Sequence, residues 1–191
     1  EMQSYAVNNS WYAENLYYNG GWKLRSAGYA TQMYMQDGKI TFKRVASGNA
    51  GDTATPIETM RLDANGNVGI GTTGPDTKLQ VSGTSAVPSV SGTFQGGIFS
   101  IEGSSTVSLD MGTTGASGYY AWMQAHDAGN GVNYNLAINP LGGNVGIGTT
   151  SPGAKLDVAG AINTSGSINL TNAGVNTIAA SNSSNGYLRF L

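Results

Sequence analysis

The sequence predicts an all-β protein built from short strands and tight turns. Twenty-nine glycines, with many Ser, Thr and Asn, are spread along the 191 residues rather than gathered in one linker. This distribution is typical of many strands joined by turns. No stretch of about a dozen residues keeps apolar side chains at helical spacing without interruption by Gly, Asn or a β-branched polar residue. We therefore expect little or no helix.

Composition indicates a folded chain with a small core. Leu, Ile, Val and Phe make up only about a fifth of the residues, a share close to that of disordered chains. The formal net charge is only −2, however, and the chain carries ten Tyr, three Trp and four Phe. Disordered chains usually combine high net charge with few aromatic residues. The chain is therefore expected to fold, although one copy has few aliphatic side chains with which to fill a core.

The same composition argues against several classes of function. The absence of Cys removes disulfides, thiolate chemistry and Cys-ligated zinc, and a lone His126 does not make a multi-histidine metal site. The nine Lys and Arg are dispersed and the pI is near 5.2, so no basic stripe predicts nucleic-acid binding. No apolar run approaches the roughly 18 residues of a membrane span. We expect no cofactor, no metal, no nucleic acid and no membrane insertion.

A close repeat organises the chain. GNVGIGTTGPDTKLQVSG occupies residues 66–83 and GNVGIGTTSPGAKLDVAG occupies 143–160, with thirteen of the eighteen residues identical. The likeness extends upstream, where YMQDG (34–38) corresponds to WMQAH (122–126). The spacing between the matching parts differs, which indicates that insertions have gone into a loop. Self-similarity at this scale is typical of repeat architectures.

The repeat predicts three modules. Residues 1–83 form an aromatic-rich first module, residues 84–160 form a second, and residues 161–191 begin a third in which SNGYLRF echoes the earlier SGYYAW. The opening EMQSYAVNNSWY has neither a signal-peptide pattern nor an initiator Met. We therefore expect the chain to be an excised fragment, cut inside a repeating array.

Each copy of the motif predicts two short strands. Val68 and Ile70 alternate with Gly, which puts the apolar side chains on one face and leaves a bare face that another backbone can approach closely. Pro75 then breaks the strand, and Leu79 and Val81 resume the alternation. Each module has too few apolar residues to bury its own faces, so we expect neighbouring parallel copies of the chain to supply the core. The positions expected in that core are Val68, Ile70, Leu79, Val81, Val145, Ile147, Leu156 and Val158.

Turn residues mark the boundaries of these strands. DANGN (63–67) and NPLGGN (139–144) are predicted turns, because Asn and Gly tolerate the positive φ that tight turns require. The best hairpin candidate is QMYMQ turning at Asp37 and Gly38 into KITFKRV.

The motif GNVGIGTTSPGAKLDVAG strongly resembles the module repeated in the shafts and tips of homotrimeric phage tail fibres. It is also similar to trimeric fibres of bacteria, including the mosaic adhesive fibres of predatory bacteria, which commonly end in an intramolecular chaperone domain of the endosialidase type. Residues 16–38, 47–53 and 119–143 resemble the segments that precede the motif in such fibres. The chaperone domain would lie downstream of these residues.

The resemblance implies an elongated homotrimer around a threefold axis. It implies a fibre on a virion surface or outside a bacterial cell, whose partners are two further copies of the chain and a bacterial surface glycan or other envelope component. The leading hypothesis is therefore a segment or tip of a trimeric adhesive fibre that recognises a bacterial envelope. The alternative is a passive shaft spacer of the same fold with no ligand.

Two motifs also resemble binding loops. GIGTTG (69–74) fits the G-x-G-x-x-G fingerprint, but that fingerprint needs a following helix, and Pro75 is followed by a strand-like segment. The second copy has Ser151 in place of the last Gly. DANGN (63–67) alternates possible ligands as a calcium loop does, but Val68 stands where that loop needs Gly, and no Glu closes it. We interpret both motifs as structural turns.

A polysaccharide depolymerase is the third hypothesis. It would need two carboxylates about 5 to 9.5 Å apart in a cleft, with Glu102 and either Asp110 or Asp127 as acid and base. These residues lie among short polar turns, where solvation is the simpler explanation. We expect that the chain is not an enzyme and has no catalytic residues.

Aromatic residues are the candidates for ligand contact. Nine of the seventeen lie in residues 1–44. They fill the core between copies of the chain, which is the simpler interpretation, or they stack on sugar faces. The candidate ligand-binding residues form two sets, Trp11, Tyr12, Tyr17, Tyr18 and Trp22, or Tyr119, Tyr120, Trp122, His126 and Asp127.

Overall fold

The structure, a computed structural model, describes residues 2–6, 9–88, 97–115 and 118–169. In these ranges the chain is all-β with no helix, which confirms the predicted fold class, and it therefore has no helix that could cross a membrane. The strands are β1 (Met2–Ala6), β2 (Asn9–Glu14), β3 (Leu16–Tyr18), β4 (Trp22–Leu24), β5 (Gly28–Gln36), β6 (Lys39–Gly48), β7 (Ile57–Leu62), β8 (Val68–Ile70), β9 (Leu79–Val81), β10 (Phe99–Glu102), β11 (Val107–Thr113), β12 (Ala121–Asp127), β13 (Val145–Ile147) and β14 (Leu156–Val158).

The largest element is a seven-stranded sheet in the order β1-β2-β5-β6-β7-β8-β9. All its neighbouring strands are antiparallel except β8 and β9, which are parallel. The predicted hairpin is confirmed, because β5 turns into β6 at Asp37 and Gly38, where φ is 51° and 72°. Two consecutive positive φ angles characterise the type I′ turn that matches the twist of a hairpin.

A small apolar cluster lies where the β3–β4 hairpin packs on the large sheet. Its buried members are Leu16, Leu24, Ala30, Val45 and Ala54. Backbone bonds tie this hairpin to the loop after β6, with the amide of Leu24 donating to Asp52 at 3.0 Å and the amide of Ala54 donating to the carbonyl of Trp22 at 2.9 Å. Five buried side chains make a small core for so large a sheet, in agreement with the predicted shortage of aliphatic residues.

The repeated motif forms the same structure twice. In each copy two three-residue strands run parallel, β8 beside β9 and β13 beside β14. In the first copy, the carbonyl oxygen of Thr72 would lie 2.9 Å from a Cβ added to Gly69. In the second, the oxygen of Thr149 would lie 2.5 Å from one on Gly146. The predicted close approach at the glycine face is therefore confirmed, and the approaching backbone is the loop of the motif itself.

Other identical residues of the motif also hold its loop in place. The side-chain amide of Asn67 donates to the carbonyl of Pro75 at 3.3 Å, and Asn144 does the same to Pro152 at 2.8 Å. The predicted turns are also confirmed at both sites. Asp63 caps the first, because its Oδ1 accepts bonds from the amides two and four residues later. The residues that are identical in the two copies therefore stabilise the local structure of the motif.

The described chain divides into two compact units, Glu1–Leu136 and Ala137–Leu191. The first contains the seven-stranded sheet, the β3–β4 hairpin and a three-stranded sheet β10-β11-β12, and the second contains β13 and β14. The module boundaries at residues 83 and 160 describe the sequence repeat and stay a prediction. From residue 170 onward, the predicted third module lies outside the described residues.

Candidate functional site

One face of the seven-stranded sheet is apolar and partly exposed. Residues paired across antiparallel or parallel strands point to the same face. Two adjacent rows of paired residues are apolar in every strand from β5 to β9. The first row is Met33, Phe42, Met60, Ile70 and Val81, and the second is Met35, Ile40, Leu62, Val68 and Leu79. Leu79 is 57% exposed, and Phe42 and Ile70 are each 41% exposed.

The opposite face of the same sheet is polar and aromatic. Its central row is Trp11, Tyr34, Thr41, Arg61, Gly69 and Gln80. A neighbouring row contains Gln32, Lys43 and Glu58. Lys43, Glu58 and Arg61 therefore lie on the face opposite the two apolar rows, whereas Arg44, the partner of Thr31 and Ile57, lies beside the first apolar row.

The three-stranded sheet has the same unusual distribution. Phe99, Met111 and Met123 are cross-strand partners on one face, and all three are exposed, with Met123 at 51%. On the other face, Ser108 and His126 are paired and buried. In an isolated soluble domain, apolar faces are expected inside and polar faces outside. At these positions the polar side chains are covered and the apolar ones are exposed, whereas Ala125 and Asp127, farther along the same side as Met123, are buried.

The buried polar face of this sheet contains a hydrogen-bonded network. The Nε2 atom of His126 lies 2.7 Å from Ser108 Oγ and 2.9 Å from Asp110 Oδ2, and Ser100 donates to the other oxygen of Asp110 at 2.5 Å. A Ser-His-Asp triad uses different ring nitrogens for the hydroxyl and the carboxylate. Both groups share Nε2 here, and Nδ1 has no hydrogen-bond partner among the described residues. The network is therefore not arranged as that triad.

Asp127 caps the turn that follows β12. Its carboxylate accepts bonds from Thr106 Oγ1 at 2.9 Å, the amides of Gly129 and Asn130 at 2.8 and 3.2 Å, and the hydroxyl of Tyr134 at 3.2 Å. These bonds, that of Thr106 first, lower the pKa of Asp127 to about 2 and raise the pKa of Tyr134. Asp127 is therefore ionised at neutral pH and carries no proton that a general acid could donate. Glu102, its hypothetical partner, is exposed.

The first predicted aromatic set is divided between surfaces. Trp11 and Trp22 meet edge to face with ring centroids 5.4 Å apart, and Tyr18 meets Trp22 at the same distance. Tyr12 lies on the apolar face, as the partner of Met33. Tyr17 lies on the other side of the β3–β4 hairpin from Tyr18 and Trp22. Of the five candidates, only Trp11, Tyr18 and Trp22 come together.

These three aromatic residues line a cavity of about 230 Å³, together with Asn9 and Tyr34. A second cavity of about 180 Å³ shares Tyr34 and contains Lys39, Lys43, Glu58 and Arg61. Sequence reasoning did not identify this second group. The alternation of Lys39, Thr41 and Lys43 along β6 was the available signal, since these residues share a strand face with Tyr34 and Arg61.

The charged cavity has a fixed arrangement of side chains. Arg61 donates two bonds to Glu58, at 2.5 and 2.9 Å, and this pairing raises the pKa of Arg61. The ammonium of Lys43 lies 4.6 Å from the centroid of the Tyr34 ring, a cation–π distance. Arg61 is therefore engaged by a carboxylate, whereas Lys43 is held by an aromatic ring.

The second predicted set does not form one open site. Tyr119 is 85% exposed, and Tyr120 is also exposed. Trp122 is buried, and its Nε1 donates to the carbonyl of Ala86 at 2.9 Å. His126 and Asp127 are buried in the separate networks described above. No group of three or more potential metal ligands from His, Cys, Asp and Glu occurs in the described ranges.

The eight predicted core positions show one pattern in both copies of the motif. Ile70 and Leu79 are exposed, and so are their equivalents Ile147 and Leu156. The four valines, Val68, Val81, Val145 and Val158, are half-buried. Within one chain, therefore, these positions are incompletely covered, and their place in a core between chains stays a prediction.

Comparisons with known proteins leave the family open. No family model matches the chain, and no curated protein matches it. The resemblance to trimeric fibre modules therefore depends on the repeated motif and the segments that precede it.

Proposed function

We propose that this chain is a segment of a homotrimeric adhesive fibre that presents a recognition surface to a bacterial envelope. The observation that carries the proposal is the exposed apolar surface of the seven-stranded sheet and of the three-stranded sheet. Ile70 and Leu79 in one sheet, and Met111 and Met123 in the other, are each more than a third exposed. Contiguous apolar surface of this kind marks interaction sites in soluble proteins.

Burial of these apolar side chains favours association. Full burial of one aliphatic or Met side chain is worth roughly 1.5 to 3 kcal/mol relative to its exposed state. Ten apolar residues occupy the two rows of the seven-stranded sheet, and many of them are only partly covered. Covering them would contribute as much as the whole net stability of a typical domain.

Copies of the same chain are the expected partners. The motif recurs at residues 66–83 and 143–160, and both copies expose Ile and Leu at matching positions. Parallel chains in register would place each copy of the motif beside itself, so that the same apolar contacts recur along the axis. The threefold symmetry follows from the resemblance to tail-fibre modules. In such an assembly the apolar faces would turn inward and the polar, aromatic face of the large sheet would turn outward.

Light scattering behind size exclusion tests the assembly. One chain has a mass of 19.6 kDa, so a trimer would read roughly 59 kDa. A folded monomer at micromolar concentration would overturn the proposal. Screening the trimer against bacterial surface glycans then tests the adhesive role, because a passive spacer would bind none of them.

A further inference from the structure

We propose that the polar face of the seven-stranded sheet binds an acidic sugar where the aromatic and charged cavities meet at Tyr34. This inference rests on the proposed function, because it takes a surface glycan as the ligand, and it adds the site and the chemical class of sugar. The aromatic cavity is lined by Asn9, Trp11, Tyr18, Trp22 and Tyr34, and Tyr34 also lines the charged cavity. A ligand that occupies both cavities therefore contacts Tyr34.

The aromatic cavity suits the apolar face of a pyranose ring. Trp22 meets both Trp11 and Tyr18 edge to face, so the three rings hold one another in place before any ligand arrives. Trp11 is 7% exposed and forms part of the buried wall, whereas Tyr18 is 52% exposed and lies at the mouth. Rigid aromatic rings provide contact area at low entropic cost. Asn9 completes the lining as its polar side chain.

The charged cavity selects an anion. Lys39, Lys43 and Arg61 line it against Asp37 and Glu58, so its net charge is +1. Glu58 is already paired with Arg61, which donates two hydrogen bonds to its carboxylate. Within the described part of the chain, neither Lys39 nor Lys43 forms an ion pair. Two ammonium groups thus remain without a carboxylate partner, and a carboxylate on the sugar would supply one.

Lys43 is already placed for this contact. Lys43 is half-buried, and its ammonium lies over the Tyr34 ring that the two cavities share. A cation held in this way loses less side-chain entropy on binding than a freely moving lysine does. The cavities measure about 230 and 180 Å³, each below the roughly 300 to 1,000 Å³ of pockets for drug-sized ligands. They therefore fit one or two sugar residues rather than a large cofactor.

The test compares acidic sugars with neutral sugars of the same shape. Calorimetric titration of the full chain would use trisaccharides of galacturonate and glucuronate, sialyl-lactose, and the methyl esters of the same compounds. We expect at least one acid to bind, its ester to bind at least tenfold more weakly, and the affinity of the acid to fall as NaCl rises from 0.05 to 0.5 M. Equal binding of acid and ester, or no binding by any of the acids, would overturn the proposal.

Substitutions locate the site. Lys43→Gln is expected to weaken binding of the acid at least tenfold, while leaving binding of the ester unchanged. Lys39→Gln, at an exposed position beside the hairpin turn, is expected to weaken binding of the acid severalfold. This second variant keeps the test possible if Lys43→Gln fails to fold. Lys155→Gln is the matched control, because it removes the same charge from an exposed lysine of the repeated motif, outside both cavities. Equal loss in all three variants would overturn the assignment.

Light scattering and calorimetry on the same samples distinguish failure of the acidic-sugar site from failure of the proposed fibre. A trimer by light scattering that binds only neutral glycans would overturn the acidic-sugar site and leave the adhesive fibre in place. A folded monomer that binds the acid through Lys43 would overturn the fibre and support the site.

Discussion

The carbonyl oxygen of Thr72 lies so close to Gly69 that a Cβ on the glycine would stand 2.9 Å from it. Gly69 is buried, and its φ is not positive, so the requirement for glycine comes from space rather than from backbone conformation. The second copy reproduces this relationship between Thr149 and Gly146. In each copy of the motif, therefore, the backbone of the loop packs directly against the glycine of the preceding strand.

Gly69→Ala should destabilise the first unit. The added methyl group meets backbone, which shifts less easily than a side chain, and overpacking of this kind costs roughly 1 to 3 kcal/mol. Thermal unfolding followed by circular dichroism should show a lower Tm. Gly74→Ala is the matched control in the same loop, because nothing lies within 4 Å of its added Cβ and its φ is not positive. Equal effects of the two substitutions would contradict the packing explanation.

Ile70→Asp should dissociate the proposed trimer. Ile70 lies in the first apolar row, between Met60 and Val81, and is 41% exposed in one chain. In the assembly, three such carboxylates would meet in an apolar environment without partners, which is strongly unfavourable. Light scattering should then show a lower mass.

The control for Ile70→Asp is Gln36→Asp. It adds the same carboxylate at an exposed position on the opposite face of the sheet, and it should leave the mass unchanged. If Ile70→Asp also keeps the wild-type mass, the apolar rows do not form the interface between chains.

Because of Asp127, the stability of the folded chain should decrease as the pH falls through the acid range. The pKa of Asp127 in the folded chain is lowered to about 2, below the usual 3.8 of an Asp carboxyl, so the folded state binds a proton less readily than the unfolded state. The stability that Asp127 contributes is present above about pH 4 and is lost as the pH falls toward 2. The urea midpoint should therefore drop over this range, and Asp127→Asn should lower it at pH 7 and reduce its dependence on pH. Asp76→Asn, which alters an exposed carboxylate, is the control and should keep the wild-type dependence of the urea midpoint on pH. If Asp127→Asn also keeps that dependence, Asp127 does not stabilise the fold in this way.

The residues of the β5–β6 hairpin illustrate what sequence reasoning finds. The Asp-Gly pair at 37 and 38 predicts a tight turn because both residues tolerate positive φ, and the structure has this turn. The glycine-alternating strands of the repeat are likewise predicted, because Val and Ile favour strands and their alternation with Gly has the two-residue period of a strand. Both signals act over a few neighbouring residues.

The candidate site shows where such reasoning stops. Trp11 and Tyr12 are adjacent in sequence and belong to one predicted aromatic set, but they lie on opposite faces of the sheet. Lys43 and Arg61 were not identified, because their neighbours in space come from other strands. A one-residue change in register would move every one of these side chains to the other face.

The class of secondary structure, the turns and the repeat can be predicted from the sequence alone, because Gly and Asn adopt the positive φ angles of tight turns and Pro fixes φ, whatever surrounds them. Which side chains share a face, in contrast, depends on how the strands pair. Strand pairing brings Tyr34, Lys43 and Arg61 from three different strands to one cavity and lines up Met33, Phe42 and Ile70 on the other side of the sheet. The physical reason is that pairing and register are set by hydrogen bonds and packing between segments far apart in sequence, which no local pattern specifies.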